Sequence, residues 1–405
     1  MSKIRGNLYR TACMGAFLAL STSAFAASGD QADTAKSKEG SHKLEAKIGR
    51  TTFKVKGYIK LDAIYNFTQN LGANDNSDAL VVHGHTNRNF SMYAKESRIA
   101  LVTTTPTPLG DIHGFVSGDF YGSGGSQKVT NNYDFRLRQA YFKWNHWLFG
   151  QAWSNFSDIH YWGQRLAFSG PVGKLFIRQP QVRYTFDLND RNKLSLSVEN
   201  PYASIQTDAG GNVKPQIAAA DDIKDQGPDL TARYRWTRGP ASIQFGALGR
   251  ALKYDGNNGS SGTEFGWGLN LDASYTFSTG TTLLGGISGG KGIGRYLYHP
   301  YVGEGYVDGN NDLHLIAKWG GHIGISQKLS PKWTTNLIYG RVRIEDLPGE
   351  FSTVDREQQD VHANVMYRPV KSLMFGMEYI YTYRQLQNRN ASPASTMQAS
   401  AVYYF

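Results

Sequence analysis

Residues 395–405 read STMQASAVYYF, and this stretch decides the fold. Every second position is apolar, which places one face of a strand in an apolar environment. These positions are Met397, Ala399, Ala401, Tyr403 and Phe405. The opposite face carries Gln398 and Ser400. An apolar strand at the open edge of a soluble sheet invites aggregation, whereas the closing strand of a membrane β-barrel turns its apolar face to lipid. The stretch therefore favours a membrane barrel over the last strand of a soluble sandwich.

The composition agrees with a barrel and disagrees with a helical membrane protein. The chain has 405 residues, 13% aromatic residues and 45 glycines. Its mean hydropathy is only −0.45. A membrane helix needs about 20 consecutive apolar residues, and the sequence contains no such run. Strands with one apolar and one polar face explain both the aromatic content and the low hydropathy.

The N-terminal residues predict an exported protein. Residues 1–26 read as a signal peptide, with basic residues first, a short apolar core and the cleavage pattern Ala24-Phe25-Ala26. The only cysteine, Cys13, lies in this segment, so the mature chain is expected to have no disulfide. Residues 27–52 are polar and predict a flexible periplasmic lead, in which Leu44–Ile48 could form one helical turn. The barrel is expected to occupy residues 53–405.

Alternation of apolar and polar residues recurs along the whole barrel region. Residues 52–67 give the clearest example, with Phe53, Ile59 and Leu61 on one face and Lys54, Lys56 and Lys60 on the other. We divide the chain into 16 such strands, joined by seven short turns and eight longer loops. Short turns at one rim and long loops at the other are typical of bacterial outer-membrane barrels. A barrel of this size encloses water. The fold class expected is therefore an all-β, 16-stranded antiparallel transmembrane barrel.

If the apolar face meets lipid, the polar face lines the lumen, and that face is rich in cations. They are Lys54, Lys56, Lys60, Arg98, Arg136, Arg138, Arg183, Arg233, Arg235, Arg250 and Lys318. The inward acids are fewer: Asp62, Glu199, Asp272 and Glu378. Rings of Arg and Lys favour anions, and Arg binds carboxylates through two hydrogen bonds. The pattern predicts a channel for small anions. Alternatively, the cations pair with lumen acids or bind lipopolysaccharide phosphates near a rim.

The connection at residues 154–179 is the third outer loop and reads SNFSDIHYWGQRLAFSGPVGKLFIRQ. Its aromatic residues include Tyr161, Trp162 and Phe168, so the loop is too apolar to remain in water. Its glycines and Pro171 allow sharp turns. We expect it to fold into the lumen and narrow it. It would then carry three cations to the constriction: Arg165, Lys174 and Arg178. The alternatives are an outer cap or a contact between subunits.

Several segments resemble the DcaP-like porin family of Gram-negative bacteria. They are GYIKLDAIYN (57–66), ESRIA (96–100), RLRQAYFKW (136–144), LFGQAWSNFSD (148–158), FSGPVGKLFIRQPQVRYT (168–185) and SVENP (197–201). The ending with Tyr403 and Phe405 also resembles the assembly signal of outer-membrane barrels. The family resemblance implies a trimeric porin that passes small organic anions such as dicarboxylates. Family members commonly carry a longer N-terminal helix than the glycine-interrupted residues 27–52 would allow.

Other functions find little support in the sequence. The run from Gly285 to Lys291 imitates a phosphate-binding loop but lacks the following Ser or Thr. His83 and His85 could bind a metal, but no third ligand is evident. No Ser–His spacing indicates a hydrolase, and the basic residues are spread over strands without a nucleic-acid-binding motif. We therefore expect an outer-membrane porin without cofactor, metal, nucleic-acid partner or enzyme activity. The alternatives are a loop-blocked barrel with a structural or hydrolase role, and a neutral-sugar channel.

Overall fold

The computed structural model describes residues 44–71, 80–122, 125–126, 130–207, 216–217, 223–224, 227–256, 261–298, 302–308, 310 and 312–405. Sixteen antiparallel strands form a barrel. They are β1 (Thr51–Asn66), β2 in two parts (Asn89–Tyr93 and Arg98–Thr105), β3 (Ile112–Asp119), β4 (Arg136–Trp144), β5 (Trp147–Trp153), β6 (Arg178–Asp187), β7 (Asn192–Glu199), β8 (Asp229–Arg238), β9 (Ala241–Asp255), β10 (Ser261–Thr276), β11 (Thr281–Lys291), β12 (Ala317–Lys328), β13 (Trp333–Ile344), β14 (Asp355–Val370), β15 (Leu373–Leu386) and β16 (Ala391–Tyr404). The predicted fold class is confirmed.

The barrel closes between its first and last strands. Tyr58 of β1 lies opposite Tyr404 of β16, and the register continues to the pair Asn66 and Thr396. Beyond β16, the Phe405 amide donates to the Gly57 carbonyl oxygen at 3.1 Å. Closure pairs the backbone groups of both edge strands, which a membrane-spanning sheet requires because lipid offers no hydrogen-bond partners.

The distribution of polar and apolar residues is the reverse of that in a soluble protein. In β10, Phe265 and Leu269 are 68% and 59% exposed, whereas Asn270 and Asp272 are only 5% and 4% exposed. Soluble sheets bury the apolar face instead. The outer surface of the barrel therefore suits lipid, and its interior suits polar groups and water.

Aromatic pairs surround the rim that carries the short turns. They are Trp147 with Tyr184, Tyr184 with Phe186, Tyr275 with Phe277, Trp333 with Tyr367 and Tyr403 with Phe405, with ring centroids 4.6–6.2 Å apart. Such belts mark the level where the hydrocarbon region meets the headgroups. Tyr403 and Phe405 thus lie in the belt, and their role as an assembly signal stays a prediction.

Two details differ from the sequence-based expectations. Leu44–Ile48 does not form a helical turn: Glu45–Ile48 is a strand that pairs with the start of β1, from Thr51 to Lys54. An unpredicted outer part of β2, Asn89–Tyr93, pairs with β1 above a break at residues 94–97. The predicted signal peptide and most of the lead lie outside the described residues. In the described part of the chain, no helix combines the length and the apolar character needed to cross a membrane.

The outer connections form a small sheet of their own. Residues Ile205–Thr207 pair with Gln216–Ile217 and Gly305–Val307, and the last of these also pairs with Leu313–Leu315. This sheet joins the connection after β7 to the connection after β11. Both connections are therefore held together at the rim opposite the short turns.

Candidate functional site

Residues 154–177, here called the inward loop, connect β5 to β6 and contact the opposite wall of the barrel. The Tyr161 hydroxyl lies 2.7 Å from Ser242 Oγ of β9. His322 Nε2 of β12 donates to the Tyr161 carbonyl oxygen at 2.7 Å. These contacts lie far around the barrel from the strands that the loop connects. The loop therefore crosses the interior.

The middle of the inward loop reaches β1 and β14–β16. The Leu166 carbonyl oxygen accepts from Lys60 Nζ at 2.5 Å and from Gln398 Nε2 at 3.1 Å. The Val172 amide donates to Asp360 Oδ2 at 2.9 Å. The loop consequently lies along the wall formed by β9–β16 and β1. It also contacts the wall formed by β2–β8, through Asn155, Asp158 and Phe168.

An apolar cluster fixes the loop inside the barrel. Its members are Phe156, Val172, Leu175, Leu248, Ile293, Tyr296, Leu297 and Val342. Six of them come from two connections that meet here: the inward loop and the connection after β11. Leu175 and Leu297 also form a backbone bridge. Burying one large apolar side chain contributes about 1.5–3 kcal/mol. The inward loop is therefore a packed element of the fold.

The two cations in the middle of the inward loop are buried. Arg165 and Lys174 are 2% and 1% exposed. Arg165 Nε donates to the Ser169 carbonyl oxygen at 2.8 Å. Lys174 Nζ donates to the Gly170 carbonyl oxygen and lies 4.7–4.9 Å from the ring centroids of Trp162, Phe176 and Tyr298. Burial, together with the Arg165 charge, lowers the pKa of Lys174 well below its usual value. These two residues contact protein groups and present little surface to a solute.

Five predicted lumen cations on the strands are also buried: Lys60, Arg98, Arg138, Arg250 and Lys318. Lys60 Nζ pairs with Glu96 and lies 3.3 Å from Asp62 Oδ1. Arg98 is 3% exposed, and its guanidinium lies 5.2 Å from the Tyr58 ring centroid. Arg138 is likewise 3% exposed and pairs with Asp119. Arg250 Nε lies 3.1 Å from Asp229 Oδ1. The alternative that lumen cations pair with lumen acids therefore describes Lys60, Arg138 and Arg250.

A first group of accessible cations, the outer group, consists of Lys95, Arg136 and Arg178. Each is partly exposed. Lys95 Nζ lies 4.9–5.0 Å from the ring centroids of Tyr93, Tyr121 and Tyr133. Arg136 lies 5.3 Å from the ring centroids of Tyr121 and Phe168 and pairs with Asp119 at 2.7 Å. Arg178 experiences the charges of Arg98, Arg136 and Arg138.

A second group, the inner group, lies nearer the short-turn rim and consists of Lys143, Arg183, Arg233 and Arg235. The charges that act most strongly on Lys143 come from Arg183, Arg233 and Lys193. Arg183 is oriented by Gln181 Oε1 at 3.0 Å and the Trp153 carbonyl oxygen at 2.9 Å. Asp158 of the inward loop pairs with Arg235 and lies 3.9 Å from Arg233. The side chains of Arg233 and Arg235 remain 16% and 23% exposed. Because they point into the barrel, solvent-accessible space lies beside them.

The predicted site residues thus fall into different environments. Arg136, Arg178, Arg183 and Arg233 are partly exposed on the β2–β8 wall, and Lys56 is partly exposed on β1. The predicted loop aromatics Tyr161 and Trp162 are buried. Phe168 is partly exposed and lies 4.3 Å from Tyr121, measured between ring centroids.

Two accessible cations were missed in the sequence. Simple alternation places Lys143 on the face opposite Arg136 and Arg138. However, the pairing between β3 and β4 shifts by one residue at Ser117 and Gly118, and such a bulge moves the following side chains to the other face. Lys95 was missed because it lies in the break of β2, where no alternation exists to follow. Alternation thus failed to predict Lys143 because of a one-residue bulge, and Lys95 because the strand is interrupted.

Within the residues that the structure describes, no three His, Cys, Asp or Glu side chains come together as a possible metal site. His83 and His85 are both described, and neither belongs to such a group.

The closed barrel, its apolar exterior and its inward loop define an outer-membrane barrel of the porin type. A family profile described as DcaP outer membrane protein matches residues 31–398. The chain therefore belongs to the DcaP outer membrane protein family, and the protein resides in the outer membrane.

Solved structures agree with this assignment. The outer membrane channel DcaP of Acinetobacter baumannii is 25% identical, with a TM-score of 0.74 over 88% of this chain and 97% of that chain. An anion-selective porin from Comamonas acidovorans is 12% identical, with a TM-score of 0.56 over 88% and 100%. OmpT of Vibrio cholerae is 12% identical, with a TM-score of 0.54 over 90% and 100%. The last two similarities concern the fold alone. No curated protein sequence matches this chain.

Proposed function

We propose that this protein is a passive diffusion channel for small anionic solutes, including organic acids such as dicarboxylates. The observation that supports the proposal is the inner group, in which Lys143, Arg183 and Arg233 lie close together on the β2–β8 wall and remain partly exposed. Cations held together without a matching number of acids create a positive potential, which concentrates anions in a narrow passage.

We propose different roles for the outer and inner groups of cations. The outer group would receive an anion above the inward loop, and the inner group would receive it below. Arg guanidinium groups suit carboxylates because two parallel hydrogen bonds can form. Passage also requires that each contact be weak enough to release the solute. Several moderately accessible cations along one wall serve this better than one deep site.

We further propose that the inward loop forms the constriction, with Phe168 on the passage side. Tyr161 and Trp162, which are buried, would pack on the side of the loop that faces away from the passage. The only acid of this loop, Asp158, is paired with His160 at 2.5 Å and with Arg235. Because this single acid is paired, the loop adds little negative potential to the passage, which favours an anion.

The proposal also covers assembly and export. Vibrio cholerae OmpT has been solved in a trimer form with the same fold, and a homotrimer is the assembly we propose for this chain. Residues 1–26 would be removed as a signal peptide. The outer rim would contact lipopolysaccharide. Cross-linking of the protein in native membranes should give a ladder that ends at three copies.

Solute uptake into proteoliposomes tests the proposed selectivity. Vesicles containing the protein should swell faster in a C4 dicarboxylate salt than in a neutral sugar of similar size. Faster swelling in the sugar would favour the neutral-sugar alternative. Absence of swelling in both, with folded protein present, would favour the loop-blocked barrel with a structural or hydrolase role.

A further inference from the structure

A buried imidazole lies between two carboxylates in the wall that the inward loop covers. His362 Nδ1 of β14 lies 2.7 Å from Glu378 Oε1 of β15, and His362 Nε2 lies 3.0 Å from Asp360 Oδ2. All three residues are at most 4% exposed. A carboxylate only accepts hydrogen bonds, so both ring nitrogens are placed to donate. This arrangement fits a doubly protonated, cationic ring.

Each of the two carboxylates also accepts a backbone hydrogen bond from the inward loop. The Val172 amide donates to Asp360 Oδ2 at 2.9 Å, and the Leu166 amide donates to Glu378. Asn364 Nδ2 donates to the Gln164 carbonyl oxygen at 3.0 Å and to Glu378 Oε2 at 3.1 Å. The wall therefore binds the loop on both sides of Gly170.

Two cations of the loop act electrostatically on the buried carboxylates of the wall. Two carboxylates and one imidazolium leave one negative charge in a dry environment, which is costly unless it is compensated. The Arg165 charge acts on Glu378, and the Lys174 charge acts on Asp360. Both cations come from the loop itself. The loop and the wall are thus complementary in charge as well as in hydrogen bonding.

We propose that Asp360, His362 and Glu378 form a latch that holds the inward loop against the wall and thereby sets the width of the passage. The proposal rests on the proposed channel function. The three side chains are positioning residues, because none of them faces the accessible cations of the opposite wall. Arg165 and Lys174 complete the latch from the loop side and do not contact the solute.

Paired variants test the latch. Glu378→Gln keeps the shape of the side chain and removes its charge. Loss of one charge-assisted hydrogen bond should raise the population of the displaced loop by about tenfold or more. In planar bilayers, the variant should show a larger single-channel conductance, and proteoliposomes should admit neutral sugars that the unmodified channel excludes. Asp355→Asn is the matched control, because Asp355 pairs with Arg384 between the same two strands at 2.5 Å and 3.0 Å, near their outer ends.

Cysteine labelling provides a readout that is independent of ion selectivity. Ser169 of the inward loop is 4% exposed, and the only native cysteine lies in the predicted signal peptide. In a Ser169→Cys background, Glu378→Gln should accelerate labelling by a maleimide that cannot cross membranes, and Asp355→Asn should not. If Glu378→Gln fails to assemble, Asn364→Ala weakens the same contacts. Unchanged labelling and an unchanged size limit in a folded latch variant would overturn the latch. A channel that prefers cations would instead overturn the proposed function.

Discussion

The two walls of the barrel interior carry similar kinds of side chains in different settings. On the β2–β8 wall, Lys143, Arg183 and Arg233 are partly exposed and lie among other cations. On the β9–β16 wall, inward charges are buried against protein. Lys318, for example, donates to the carbonyl oxygens of Gly294 at 3.1 Å and Leu297 at 2.7 Å.

The partners of a charged residue thus decide its role. A buried cation whose donors are used by the fold stabilises the fold, and its removal leaves orphaned acceptors. A partly exposed cation among other cations is available to a passing anion. The two walls should therefore respond to mutation in opposite ways: one in selectivity, the other in stability.

The largest effect is expected from charge reversal on the basic wall. Arg183→Glu combined with Arg233→Glu should reverse the ion preference, because two positive charges at the inner group become negative. The sign of the reversal potential in a salt gradient measures this. Arg191→Glu with Arg238→Glu makes the same change in net charge at exposed short turns and should shift the potential far less. Equal shifts of the reversal potential in both double variants would show that the inner group does not line the pathway.

A smaller effect, now on stability, is expected inside the covered wall. Phe156 is fully buried in the apolar cluster that fixes the inward loop. Phe156→Ala should cost about 3–5 kcal/mol through lost packing and a cavity. When samples are heated to a series of temperatures before electrophoresis, the folded band of the variant should disappear at a lower temperature than that of the unmodified protein. Phe245→Ala, on the lipid-facing surface and 52% exposed, is the control. If Phe156→Ala were as stable as the unmodified protein, the loop would not be anchored by this cluster.

The next effect compares the two walls directly. Lys318→Met should leave two buried carbonyl oxygens without their donor, at a cost of about 1–3 kcal/mol each. Its ion selectivity should stay close to that of the unmodified channel. Arg183→Met should show the opposite result, with a clear loss of anion preference and a smaller loss of stability. A Lys318→Met variant that changes selectivity more than Arg183→Met does would contradict the division between the walls.

The smallest effect is expected at the short-turn rim. Lys193 Nζ lies 2.6 Å from Asp187 Oδ1, and both side chains are more than 40% exposed. Exposed pairs of this kind contribute about 0–1 kcal/mol. Lys193→Ala should therefore unfold at nearly the temperature of the unmodified protein and lower the anion preference only slightly. A loss of selectivity as large as that of Arg183→Met would indicate that the narrowest part of the passage lies closer to this rim.

The sequence predicts the barrel well because alternation and turn residues are local signals. Phe265, Leu269 and Asp272 occupy the faces that their spacing indicates. Lys143 does not, since a single extra residue in β4 moves it into the interior. Such a bulge cannot be recognised in an apolar–polar sequence pattern that is already irregular.

The roles of the inward cations could not be read from residue type. Arg165 and Lys174 were expected at the constriction, but their charges are matched by Glu378 and Asp360, about 200 residues further along the chain. Such long-range partners become visible only once the loop is placed against the wall. In contrast, Arg183 and Arg233 were found because their strands alternate regularly up to the rim.

The most direct test of the central claim is the reversal potential of the purified, unmodified protein in a planar bilayer under a KCl gradient. The basic β2–β8 wall predicts a potential that favours chloride over potassium. A potential that favours potassium would contradict this account, because the acids would then control the passage and the inner group would not.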